Sequence, residues 1–159
     1  MADHVFIQVR DEFIDRLKAG VTAVSNRVYT FDQEPVDESK CPYLIVEISD
    51  DQAQPDAIGG AADDPPSLLE LVQVRVGVHC VVSVNTDPEK AAYALRATVE
   101  TTLLGSRNAL SLGGKVLRVR RTGGDNGVQA MGETVAYRAS AEFIVDIYKL
   151  ERLADSFTY

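Results

Sequence analysis

The stretch from Leu68 to Val84, "LLELVQVRVGVHCVVSV", decides how the rest of the chain is read. Val72, Val74, Val76, Val78, Cys80, Val82 and Val84 fall on one side of an alternating pattern, and Gln73, Arg75, Gly77, His79 and Ser83 fall on the other. A period of two is that of a strand with one face on a core and one facing solvent, the arrangement of an antiparallel sheet. Thr134 to Leu150 repeats the pattern. Val135, Tyr137, Ala139, Ala141, Phe143, Val145 and Ile147 share one side, and Arg138, Ser140, Glu142 and Asp146 share the other. At about 3.3 Å per residue such strands reach about 55 Å, well past a domain with a radius of gyration near 15 Å. They are expected to bend, to break at Gly77, or to project as a hairpin beyond the body.

The apolar rows need a cover, and two segments have helical spacing. Val5, Val9, Phe13 and Leu17, with Phe6, recur at that spacing between Asp3 and Gly20. In "TDPEKAAYALRATVETTLLG", Asp87 is an N-cap, Pro88 takes the first helical position, Ala91, Leu95, Val99 and Leu103 form the stripe, and Gly105 ends the helix. "RVYTF" (27–31) and "PYLIVEIS" (42–49) read as further strands. The hairpin signal in "ALSLGGKVLRVRR" is Gly113 and Gly114. The expected class is α+β: a single antiparallel β-sheet covered by two helices on one face, in the order α-β-β-β-α-β-β. One domain spans 1–150, with a C-terminal tail at 151–159.

Residues 50–67, "DDQAQPDAIGGAADDPPS", break the pattern. Three prolines, two glycines and five aspartates, with almost no bulky apolar side chain, do not offset the entropy of ordering, so a long mobile arm is expected. Its acids Asp50, Asp51, Asp56, Asp63 and Asp64 are candidates for contact between subunits. Without an EF-hand ligand order they do not specify a cation.

Composition narrows the function. The chain has 159 residues, 16 Lys+Arg against 24 Asp+Glu, and a net charge of -8, so its surface is not a broad basic field for nucleic acid. Cys41 and Cys80 stand alone, with no metal-knuckle or disulfide-framework spacing, and are expected to be reduced and buried. No signal peptide and no apolar run of about 20 residues occurs, so a cytoplasmic protein is expected.

Little in the sequence supports catalysis. "GGDNG" (123–127) resembles the acid-and-glycine turn of diguanylate cyclases, but no phosphate loop or second acidic cluster accompanies it, and a plain turn explains it. His4 and His79 lack a nucleophile or metal motif. No cofactor motif is present. What remains is Arg118, Arg120 and Arg121 in "VLRVRRTGGDNG". Alternation sets Arg118 and Arg120 on one polar face with Val119 inward, and Arg121 extends the charge toward the following glycines. Such a stripe suits a polyanion or an acidic partner surface, or else is a solvated strand face.

The order of these elements, with "CPYLIVEISDD", the arm, "LLELVQVRVGVHCVVSV" leading into "TDPEKAAYALRATVETTL", and "GETVAYRASAEFIVDIYKL", resembles the tail terminator proteins of long-tailed bacteriophages, the lambda-type minor tail protein group. The similarity covers roughly Phe6 to Leu150. It implies a structural protein, not an enzyme, that forms a hexameric ring on the last ring of the tail tube, stops polymerisation, and presents a surface to a neck or head-completion protein. It also implies assembly in the host cytoplasm, residence at the tail–neck junction, and DNA passing through the ring lumen. The insertion "AQPDAIGGAADDPP" and the extension "ERLADSFTY" depart from the family pattern; Phe157 and Tyr159 in the latter are candidates for C-terminal docking. The rivals are a neck or head–tail connector protein and, from another class, a small enzyme.

Overall fold

A computed structural model describes residues 5–35, 38–57, 67–84, 87–105, 116–131 and 134–152. The elements are α1 (Val5–Gly20), β1 (Val28–Thr30), β2 (Tyr43–Ala57), β3 (Ser67–Ser83), α2 (Pro88–Leu104), β4 (Val116–Met131) and β5 (Thr134–Arg152). One five-stranded sheet runs in the order β1-β2-β3-β5-β4. The class is α+β, and the sheet is mixed where an antiparallel one was expected. β1 runs parallel to β2, with Val28 opposite Leu44 and Thr30 opposite Val46. A strand of three residues returns through short 3₁₀ turns at Phe31–Gln33 and Glu38–Lys40, which gives the chain room to re-enter the sheet in the same direction.

The main core is the product of the alternating rows. Val72, Val74, Val76, Val78, Cys80 and Val82 of β3, and Ala139, Ala141, Phe143, Val145 and Ile147 of β5, are buried in one cluster with Val9, Phe13 and Leu17 of α1 and Leu95, Val99 and Leu103 of α2. Ala92, not Ala91, completes the α2 stripe, since a step of three keeps it in line with Leu95. The capping of α2 follows the sequence: the Asp87 carboxylate accepts from the Lys90 N–H at 3.2 Å, and Pro88 opens the helix. Cys80 is buried and Cys41 half-buried; neither is in a disulfide. Burial pushes the Cys80 thiol up to about 12.

Two local expectations are corrected. Asp50–Ala57 was read as the start of a mobile arm, but it continues β2, paired to β3 from Asp50 opposite Arg75 to Ala57 opposite Leu69, with bulges after Ile48 and Pro55. Unpaired backbone groups along so long a β3 hold a partner strand in spite of its poor strand propensity, and Pro55 is tolerated because β1 does not extend to its side of β2. Asp50, Asp51 and Asp56 thus lie on a strand, whereas Asp63 and Asp64 lie outside the described residues. Second, "GGDNG" is not a turn. Gly123–Gly127 is interior to β4, opposite Glu142–Arg138 of β5. The expected hairpin at Gly113 and Gly114 lies outside the described residues, as do His4, Phe157 and Tyr159.

β3 does not break at Gly77. Pairing runs from Ser67 opposite Arg152 to Ser83 opposite Ala136. No helix among the described residues is long and apolar enough to cross a membrane.

Candidate functional site

The sheet face away from the helices carries the polar rows of β2, β3, β5 and β4, and it is not uniformly solvated. At one end Tyr43, Ile45, Val81, Met131 and Ala136 form a small buried cluster, with Tyr29 and Cys41 packed against it. The Tyr43 hydroxyl donates to Glu34 Oε1 at 3.1 Å; desolvation, then the neighbouring Glu34 charge, raise its pKa strongly.

In the middle, three strands meet through side chains. His79 on β3 sits between Glu47 on β2 and Ser140 on β5, with Nε2 at 2.6 Å from Glu47 Oε1 and Nδ1 at 2.6 Å from Ser140 Oγ. Ser140 is 6% exposed. Beside it Arg75 donates to Glu142 at 2.9 Å. A pocket of about 210 Å³ opens over Gly77, edged by Glu47, Ser49, Asp125 and Glu142. A serine, a histidine and a carboxylate in this order are the members of an acyl-transfer triad. Acyl transfer also needs N–H groups aimed at the developing oxyanion. Ser140 is mid-strand, opposite His79 on one side and Asp125 on the other, so the backbone around it is committed to two ladders. The arrangement is therefore read as a polar clamp joining β2, β3 and β5. Among the described residues no group of His, Cys, Asp and Glu is placed to hold a metal ion.

The arginines do not form one stripe. The side chain of Arg118 lies outside the described residues, although its backbone pairs opposite Asp146. Arg120 Nε lies 3.8 Å from Asp146 Oδ2, a carboxylate 3% exposed. Arg121 Nε lies 3.7 Å from Glu100 of α2, on the helical side, where Arg96 also holds Glu100 at 2.8 Å. Alternation accounts for this split: Arg121 shares its side with Val119, which packs against the main core.

Arg96 also explains one glycine of "GGDNG". A Cβ on Gly124 would run into the Ser140 carbonyl oxygen and stand 2.7 Å from the Arg96 guanidinium carbon. Gly124 makes room for the helix arginine on β4. Sequence reading missed both this contact and the clamp, because each depends on strand register. The one available signal was His79 on a polar row that also held Arg75 and Gly77.

No protein-family model matches the chain, and no curated protein matches it.

Proposed function

We propose that this chain is a structural ring subunit that caps a bacteriophage tail tube, stops its growth and presents the tail-side surface for a neck or head-completion protein. The observation that carries the reading is a mismatch of lengths. Helices of 16 and 17 residues extend about 25 Å, whereas strands of 17 and 19 residues extend about 55 to 65 Å. Among the described residues the sheet outruns its own helical layer, which leaves length for other chains to cover. Copies of itself in a ring, with the tube below, provide that cover. Among the described residues the side of β2 beyond Val46 and the outer side of β4 also have no partner strand, two unlike edges suited to head-to-tail contacts, which close into rings. A hexamer is the ring size that the resemblance implies, with DNA passing through its lumen.

The pairing of Arg120 with Asp146 and of Arg121 with Glu100 favours a contact with partner protein over a dedicated DNA-binding wall, since both cations already have acids. Assembly in the host cytoplasm and residence at the tail–neck junction follow from the same reading. The test is tube assembly in vitro. Tail-tube protein polymerised with the chain should give tubes that stop growing and carry a six-fold density at one end in electron micrographs. Tubes of unaltered length, with no terminal density, would refute the proposal.

A further inference from the structure

β4 is the last strand of the sheet, so the outer side of its 16 residues pairs with no other strand among the described residues. A groove of about 450 Å³ follows that edge, lined by the consecutive residues from Asp125 to Ala130 and by Glu34 and Arg138. Gly123 and Gly127 are unexplained by the described residues of the chain. A Cβ at either would meet nothing within 4 Å, and neither has a left-handed backbone. Glycine inside a strand is unfavourable relative to alanine, and it marks places where another backbone comes close.

Gly127 lies directly opposite Arg138. With no side chain between, the guanidinium can extend across Gly127 to the sheet edge. Arg138 makes no ion pair among the described residues, and Glu34 in the same groove is already engaged by Tyr43 and Gln129. Asp125 is exposed, two residues along the same row, and is likewise without an ion pair. Val128, on the opposite row, is 70% exposed.

These features are self-complementary. We propose that two copies of the chain pair antiparallel through β4, with the two-fold axis at Asn126. That register sets Asp125 of each copy beside Gly127 of the other, so Arg138 of each reaches across its own bare Gly127 to the partner copy's aspartate. It keeps outward N–H and C=O groups facing each other, because it pairs residues of like parity. It also sets the other unexplained feature, exposed Val128, against Gly124, whose own side-chain space is filled by Arg96. The contact is isologous and uses β4 once, so it does not close a ring by itself. It is a state of the unassembled chain that masks a long open edge.

The test is native mass spectrometry and sedimentation equilibrium of the full chain over a range of concentrations. A concentration-dependent dimer is expected. Asp125→Arg and Arg138→Glu should each weaken it about tenfold or more by setting like charges together twice, and the double charge swap should restore it. Gly127→Val should weaken it as well, with the circular dichroism melt unchanged. A monomer at all concentrations, a dimer indifferent to the single swaps, or no recovery in the double swap would each overturn the inference. None of these outcomes bears on tube capping, which the tube-assembly experiment reads separately.

Discussion

Gly124, Gly123 and Gly127 look alike in the sequence and differ in what surrounds them, which makes them a sharp comparison. Gly124→Ala pushes a methyl into the Ser140 carbonyl and the Arg96 guanidinium, so a loss of about 1 to 3 kcal/mol is expected in urea unfolding. Gly123→Ala meets open space and should be neutral, or stabilise by a few tenths of a kcal/mol, through the unfolded chain. Equal effects at both positions would contradict the packing of Arg96 on β4. The clamp is tested at Ser140. Ser140→Ala leaves the buried side of the His79 ring without its partner, and about 1 to 3 kcal/mol should be lost in the same assay. Cys80 adds a pH dependence. Its folded pKa, about 12, lies above the ordinary 9.0, so the folded chain holds a proton that the unfolded chain releases. Stability from this group is intact below about 9 and falls as pH rises from about 9 toward 12, and Tyr43 acts in the same direction at still higher pH. Cys80→Ala should flatten part of the alkaline slope in thermal melts. An unchanged slope would show that Cys80 does not contribute.

Elements were legible where one chain segment carried the whole signal. α2 is such a case, since cap, first-turn proline and apolar stripe lie within twenty residues. Asp87→Ala should destabilise the protein by about 1 kcal/mol, read as a lower melting temperature. The inward rows of β3 and β5 were legible from Val72 to Val82 and from Ala139 to Ile147, because burial on one face imposes a period of two, whereas Val84 and Val135, read on the same rows, are each 47% exposed at the strand ends. β2 was legible only to Ser49. From Asp50 onward its place in the sheet comes from β3, which supplies a partner to a segment with no strand propensity of its own. Hydrogen exchange separates the two descriptions: amides of Asp50–Ala57 that face β3 should exchange more slowly than those of a free chain, and exchange at the free-chain rate would restore the mobile arm. β1 was seen as a strand, but its parallel direction was not, because direction depends on the path of the connecting turns. The polar clamp was hidden for the same kind of reason. Glu47, His79 and Ser140 are far apart in the chain, and only pairing His79 opposite Ser140 brings them together.

For the molecule as a whole, the distribution of charge decides how assembly should respond to salt. Arg120 and Arg121 are not spare cations waiting for an acidic partner, since each lies beside an acid of its own chain. What is left over is the net charge of -8, which the proposed ring would multiply by the number of copies brought together. Like-charged subunits repel over about a Debye length, roughly 30 Å at 0.01 M ionic strength and 8 Å at 0.15 M. A seam built from strand edges and apolar contacts is insensitive to salt in itself, so screening should favour assembly through the global charge alone. The fraction of chain in rings, measured by sedimentation velocity at constant protein concentration, should therefore rise as NaCl is increased from low to physiological levels. A fall over the same range would mean that intersubunit ion pairs dominate the seam, and it would return the arginines of β4 to the centre of the contact.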